Sequence, residues 1–345
     1  MGVDLKPILP SFPIKVSDLS DKVVAVDAFN TIYQFLSTIR GYTGEPLTNN
    51  KGEITSHLSG LFYRNINFLI ENIKLVYIFD GKPHQLKYQE IERRRQVKTQ
   101  AFEKYQEALS EGKFEDAKKY GQATSTITDK IVQDSKKILN LLGIQYIQAT
   151  SEGEATAAKL TKNDVAFVCA SQDYDSLLFG AKRLIRNLTI SGKRKLPNRN
   201  VYINVEPEMI LYDDVIKTTK LTHEQLIDVG ILVGTDFNPG GFQGIGPKTA
   251  LKLIIENGKL ENIEKIKTAL EEIPYHEIRE IFLNVLENDD DIKGLEFKFD
   301  KPDHDEIIKF LCDEMSFSKE RVTTALERLE KVSEQKNQSL EKWFG

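Results

Sequence analysis

The chain has 345 residues, 40% of them apolar, enough to bury a large core as one α/β domain with insertions or as two domains. Two cysteines exclude a disulfide scaffold and point to a reducing compartment. No apolar run approaches the ~20 residues of a membrane span and the N-terminus lacks a signal-peptide layout, so an intracellular protein, cytoplasmic or nucleoid-associated, is expected. The net charge of −5 argues superficially against a nucleic-acid partner, but acids gathered for metals would mask basic surface elsewhere.

In chain order, Val23-Val24-Ala25-Val26 reads as a strand ending on Asp27. A helix over about 28–40, a loop rich in Gly and Asn over 41–52 and a helix over 56–72 lead to a second strand, Val76-Tyr77-Ile78-Phe79, which ends on Asp80. That order is a βαβ-like crossover and predicts a parallel pair. Residues 82–135 are charged, poor in apolar residues and helical in character, with breaks at Gly112 and Gly121. They are too polar for a core, so a pair of mobile helices projecting from the body is expected. Between Lys82 and Lys119, 10 Lys or Arg stand against 7 Asp or Glu, and Arg93-Arg94-Arg95 with Lys98 makes the densest block, which suits a polyanion.

The α/β pattern resumes at Ile144-Gln145-Tyr146-Ile147. Thr150-Ser151-Glu152-Gly153-Glu154-Ala155 reads as a helix start, and the strand Val165-Ala166-Phe167-Val168 runs through Cys169-Ala170-Ser171-Gln172 into Asp173 and Asp175. Residues 184–188 and 201–205 read as paired strands, with Lys193-Arg194-Lys195 and Arg199 at a hairpin tip near Gly192. Helices take over after Thr222. There Asp236 ends Gly234-Thr235-Asp236, and Gly244-Ile245-Gly246-Pro247-Lys248-Thr249-Ala250 matches the helix-hairpin-helix pattern. Gly244 and Gly246 permit close approach of backbone N–H groups to a phosphate at a helix N-terminus, Pro247 fits the first turn, and Lys248 adds charge. Such contact is to duplex backbone and carries no base information. Residues 331–345 are polar until Leu340 and Trp343-Phe344, as in a flexible tail carrying apolar anchors.

Seven carboxylates stand where elements begin or end: Asp27, Asp80, Glu152, Glu154, Asp173, Asp175 and Asp236. If the strands are parallel, Asp27, Asp80, Asp173 and Asp175 converge on the sheet edge where open α/β folds place ligands. Ionised carboxylates within about 4 Å repel by several kcal/mol at intermediate dielectric. A fold that collects them without Lys or Arg between them is therefore expected to hold hard divalent cations through oxygen, magnesium or manganese rather than zinc. His57, His84, His223, His276 and His304 are scattered singly and Cys169 is far from Cys312, so no zinc spacing exists. Glu152 and Glu154 also face the positive end of a helix dipole.

Taken together, these segments resemble the flap endonucleases of the archaeal and eukaryotic type, in the structure-specific 5′-nuclease superfamily. The resemblance is carried by Val26-Asp27-Ala28 with Ile32-Tyr33-Gln34-Phe35-Leu36, Thr55-Ser56-His57-Leu58, Phe79-Asp80-Gly81-Lys82-Pro83, Ser151-Glu152-Gly153-Glu154-Ala155, Ser171-Gln172-Asp173-Tyr174-Asp175 and Gly234-Thr235-Asp236 with the Gly244 hairpin. It implies an α/β fold, a mostly parallel sheet flanked by helices, with a helical arch over 82–135 and a helix-hairpin-helix region over 222–260. The nuclease core would span 1–330, its metal site built from about 1–80 and 136–260. The implied activity is magnesium-dependent cutting of 5′ flaps on branched DNA, with 5′–3′ exonuclease activity, by a monomer. Asp80, Glu152 and Glu154 would lean toward one of two magnesium ions, and Asp173, Asp175 and Asp236 toward the other, with Asp27 acting through water. Manganese is a possible substitute.

By the same resemblance Lys87 and Arg94 are the catalytic basic pair at the foot of the arch, and Tyr33 is the aromatic on which a nucleotide beside the cleaved bond stacks. On the residues alone Tyr33 reads equally as core, because Ile32, Phe35 and Leu36 form an apolar stripe around it. The tail, with Asn337, Leu340, Trp343 and Phe344, resembles the motif that binds the PCNA sliding clamp, Asn337 standing where glutamine is usual. His84 stands where proline is common, and Gly153 where alanine is common. Two competing readings predict different residues. A non-catalytic DNA-binding scaffold predicts missing acids, and a haloacid-dehalogenase-type phosphatase expects Asp-x-Asp after the first strand; the chain fits neither. A related repair-type 5′ nuclease remains the nearer alternative.

Overall fold

The computed structural model describes residues 2–190, 192–195, 202–284, 292 and 295–344; for 193–195, 202–203 and 336–344 it describes the backbone alone. The strands are β1 Phe12–Pro13, β2 Val23–Asp27, β3 Lys74–Phe79, β4 Gln145–Gln148, β5 Val168–Ala170, β6 Arg183–Arg186, β7 Gly192–Lys195, β8 Tyr202–Val205 and β9 Glu208–Leu211. Seven of them form one sheet in the order β1-β9-β6-β5-β2-β3-β4. From β4 to β6 neighbouring strands are parallel, and β9 runs antiparallel to both β6 and β1. The chain leaves β2 toward β3 and β4, then returns to β5 on the other side of β2. The order reverses beside β2, so the carboxyl ends of β2 and β5 border the crevice where open α/β sheets bind ligands.

The helices are α1 Ala28–Thr38, α2 Ser56–Ile70, α3 Tyr88–Ser110, α4 Phe114–Ala123, α5 Asp129–Leu141, α6 Gly153–Lys162, α7 Asp175–Leu178, α8 Tyr212–Thr219, α9 His223–Val233, α10 Pro247–Asn257, α11 Lys267–Leu270, α12 Tyr275–Asn284, α13 His304–Ile308 and α14 Lys319–Phe344. Both sheet faces are covered, and the central strands are accordingly apolar at successive positions. Val24 and Val26 of β2 enter a core with Phe35 of α1, Leu61 and Phe62 of α2 and Ile138 of α5, while Ala25 between them enters a second core with Ala157 of α6, Leu177 of α7 and Leu232 of α9. Each fully buried Leu, Ile or Phe in these layers stabilises by about 1.5–3 kcal/mol. The two cores fix β2 from both sides, and Asp27 at its end is held by that packing. Among the described residues no helix is long and apolar enough to cross a membrane.

Three local expectations change. Residues 183–186 pair with β5 and β9 rather than with 202–205, whose partner is β7. Lys193-Arg194-Lys195 therefore lie in a strand and not at a tip, and Arg199 lies outside the described residues. The cause is length: 192–195 can pair with 202–205 across a short connection, leaving the more apolar Leu184 and Ile185 for the buried sheet. Gly121 sits inside α4, and the break between the polar helices is at Gly112 alone, where φ is +69°. Residues 331–344 continue α14 as helix, consistent with a run free of Gly and Pro from Lys319 to Phe344.

Candidate active site

Asp27 ends β2 and caps α1, its Oδ1 accepting from Asn30 N at 2.9 Å. Asp80 follows β3 and accepts from Gly153 N at 2.6 Å. A Cβ on Gly153 would stand 2.7 Å from that Asp80 oxygen, so glycine lets the carboxylate close onto the start of α6. Glu152 stands at the N-terminal boundary of α6 without a side-chain capping bond, and Glu154 in its first turn accepts from Ser171 Oγ at 2.8 Å and Ser176 Oγ at 3.3 Å. Asp173 and Asp175 follow β5; Asn30 Nδ2 donates to Asp173 at 3.1 Å, and Val3 N donates to Asp175 at 2.8 Å. Asp236 lies just beyond α9, 7% exposed.

These groups sense one another. Burial, then the charge of Asp80, pushes Asp27 up to about 8. Burial and Glu152 raise Asp80 to about 6, and burial with Asp236 and Asp173 raises Asp175 to about 7. Glu154 is raised well above the usual range by burial and by Asp175, Asp173 and Asp27. All seven acids thus belong to one field-coupled cluster at the carboxyl edge of the sheet.

Two cations enter it, contrary to the expectation of acids with no Lys or Arg between them. Lys87, in the turn before α3, is ion-paired to Glu152 and lies 3.4 Å from Asp236. Arg94, two turns into the helix, reaches Asp236 at 2.5 Å while its Nε is held 2.7 Å from Glu90, itself buried at 2% exposure. Burial opposes the charge on both, but the carboxylates outweigh it and both are held protonated. The turn carrying Lys87 is capped by His84, whose Nδ1 accepts from Leu86 N at 3.3 Å.

Tyr33 is not core: the residue is 36% exposed, with Lys98 Nζ 5.2 Å from the centre of its ring. Beside it opens a cleft of about 650 Å³ lined by Ile91, Arg94, Arg95, Lys98, Phe102 and Thr126. Farther off, Gly246 caps α10 with Pro247 in the first turn, Gly244 takes φ +79°, and the exposed Lys248 follows. The backbone of Asn337, Leu340, Trp343 and Phe344 is helical; their side chains lie outside the described residues.

Comparison with known proteins decides the family. Residues 1–101 match the XPG N-terminal domain and residues 143–236 the XPG I-region. The chain is 52% identical to flap endonuclease 1 of Nitrosopumilus maritimus over 344 residues, covering 100% of both chains. It is 49% identical to flap endonuclease 1 of Pyrococcus furiosus, covering 100% of this chain and 99% of the relative. The solved structure of flap endonuclease-1 from Methanococcus jannaschii is similar with a TM-score of 0.73 at 37% identity, covering 97% of this chain and 100% of that one. The chain belongs to the flap endonuclease 1 family.

As a member of this family of metal-dependent nucleases, the chain has a donor set that suits hard cations: it is oxygen only, and at Asp27 and Asp175 burial first and neighbouring acids second raise the carboxyls toward neutral pH. Among the described residues, however, no three His, Cys, Asp or Glu are gathered closely enough to hold one ion between them. In this arrangement Lys87 and Arg94 neutralise Glu152 and Asp236 instead. Sequence reasoning missed the groups that orient the acids. Asn30 holds Asp27 and Asp173 at once, Ser171 lies 3.4 Å from Asp27 and 2.8 Å from Glu154, and Arg186 braces the loop by donating to Tyr174 and to Gln172 O. Only Asn30 had a signal, as the third residue after a helix-capping Asp.

Proposed function

We propose that the chain is a structure-specific nuclease that cuts a 5′ single-stranded flap at its junction with duplex DNA, with 5′–3′ exonuclease activity, in replication and repair. One observation carries the reading: buried carboxylates from separate segments converge under two cations, Lys87 and Arg94, at the mouth of a basic, partly aromatic cleft. That is a site for a phosphodiester. Asp80, Glu152 and Glu154 would hold one divalent ion and Asp173, Asp175 and Asp236 another, with Asp27 acting through water. When bound, two magnesium ions supply an activated water and stabilise the leaving oxygen of an in-line displacement. Lys87 and Arg94 exchange their carboxylate partners for the scissile phosphate and neutralise charge that grows on it. Tyr33 gives a nucleotide beside the cut a ring to stack on once Lys98 moves aside. The Gly244–Lys248 hairpin grips duplex backbone, and the end of α14 docks on a sliding clamp.

The test uses double-flap DNA labelled at its 5′ end, with single-stranded and blunt duplex controls, in magnesium. Cutting confined to the flap junction is expected. Asp80→Asn and Asp173→Asn should bind the flap as tightly as the parent while cleavage falls by orders of magnitude, about 10³-fold or more. Equal loss of binding and cleavage, or near-normal cutting by either variant, refutes the site.

A further inference from the structure

Helix α12 touches α9, the turn after α10, a residue next to Asp236 and the turn before α3. Arg279, 8% exposed, donates from Nε at 2.9 Å and Nη2 at 2.7 Å to Asp228, and from Nη1 at 3.1 Å to Glu261, with Glu224 3.6 Å away. Asp228 is on α9 and Glu261 is in the turn after α10, so one guanidinium ties together the two helices that flank the hairpin. Leu260 N donates to the other Asp228 oxygen at 3.3 Å and Gln225 Nε2 to Gly258 O at 2.9 Å, closing the same seam. Three residues on, Phe282 packs against Phe237 with ring centres 5.5 Å apart and against Phe179 at 4.6 Å. Phe237 follows Asp236, and Phe179 follows the short helix that begins with Asp175. Glu277, near the start of α12, lies 3.7 Å from His84 Nε2, and the His84 ring stands edge-on to Phe237.

None of these groups reaches the carboxylates directly. Their chemistry is that of a brace. A buried ion pair adds little stability over well-packed apolar residues, because desolvation offsets its attraction; what it adds is a fixed geometry. Here that geometry joins the element suited to gripping duplex to the back of the element suited to chemistry. We propose that α12 sets which phosphodiester is cut: Arg279, as a positioning residue, holds the hairpin at a fixed offset from the carboxylate cluster, so the reactive bond is counted from the grip on the duplex. The inference rests on the flap-cutting reading given above.

The experiment maps products at single-nucleotide resolution under single turnover, with magnesium and a labelled flap, for the full chain and for Arg279→Met, Arg279→Lys and Glu261→Gln. The parent should give one main product. Arg279→Met and Glu261→Gln should spread cuts onto neighbouring bonds, with the rate at the main bond falling on the order of tenfold to a hundredfold while duplex affinity and summed cutting change far less. Arg279→Lys should restore part of the single-product pattern. An unchanged cut position in Glu261→Gln, which removes the charge of one partly exposed contact and keeps the Asp228 pair, overturns the inference, whatever happens to melting temperature. Failure of the parent to cut any flap overturns the functional reading and the inference together.

Discussion

At the scale of single residues, the acids store a conflict that protons or metal ions must resolve. Asp27 titrates at 3.8 when unfolded and at about 8 when folded, so across that window the folded chain holds a proton that the unfolded chain has lost. Its contribution to stability is therefore complete below pH 3.8 and is lost as pH rises through 8. With chelator present, the melting temperature should fall from pH 5.5 to pH 8, by the equivalent of a few kcal/mol at most. Asp27→Asn should flatten that slope. Magnesium should raise the melting temperature more at pH 8 than at pH 5.5, since cations then replace the missing protons; equal gains at both pH values would rule out metal binding by the cluster. His57 works in the opposite sense, because burial depresses it to about 3 and neither ring nitrogen has a hydrogen-bond partner among the described residues. Its stability is lost as pH falls below 6.5, so the comparison with Asp27→Asn, which leaves His57 untouched, isolates the acid. The acids were legible because each follows an apolar run or opens a helix. Asn30 was legible only as a position after a capping Asp, since its bond to Asp173 spans 143 residues, and Glu90 looks like any helix-surface acid until Arg94 and burial enclose it.

On the proposed reading, whole elements divide the labour between chemistry and grip. The turn and helix that carry Lys87 and Arg94 deliver two cations to Asp236, whereas α10 presents Lys248 to solvent beside a glycine turn. Lys87→Ala and Arg94→Ala should slow single-turnover cleavage on the order of a hundredfold or more with little change in duplex affinity, because their contacts strengthen as charge develops. Lys248→Ala should lower affinity uniformly and reduce the salt slope by about 1, leaving the bound rate nearly intact. Matching kinetic signatures for arch and hairpin variants would refute the division, and stopped-flow cleavage beside titrations at several salt concentrations supplies both numbers. The parallel strands β2, β3 and β5 were readable, since apolar runs ending on acid have few other solutions. The β6 to β9 region was not. Four-residue strands follow one another closely there and compete for partners, and the short connection that pairs 192–195 with 202–205 leaves the apolar 183–186 for the sheet edge beside β5.

At the scale of the whole molecule, two cores on opposite faces of one sheet join segments far apart in sequence, and α14 closes one of them. Val322 and Leu326 are buried against the layer that holds α2, and Arg328 reaches Asn67 at 2.6 Å. Beyond that contact the helix carries mostly polar residues toward Leu340, Trp343 and Phe344, which at i, i+3 and i+4 share one helical face. The sequence suggested a tail because polarity was plain, but helix propensity over a stretch without Gly or Pro favours continued helix whether or not it packs. On the proposed reading, three apolar residues at that spacing in a helix suit a hydrophobic pocket on a clamp protein, with two aromatic anchors supplying most of the affinity. Replacing Trp343 and Phe344 together by Ala should weaken clamp binding by at least about a hundredfold and remove clamp-stimulated cleavage. Cutting of free flap DNA should stay within about twofold of the parent, since no acid or cation of the proposed catalytic site lies in α14. Calorimetry with the purified clamp and flap assays with and without it read the two halves separately. Undiminished clamp affinity in the double variant would mean that the tether lies elsewhere, and loss of basal cutting would mean that the end of α14 supports the nuclease body itself.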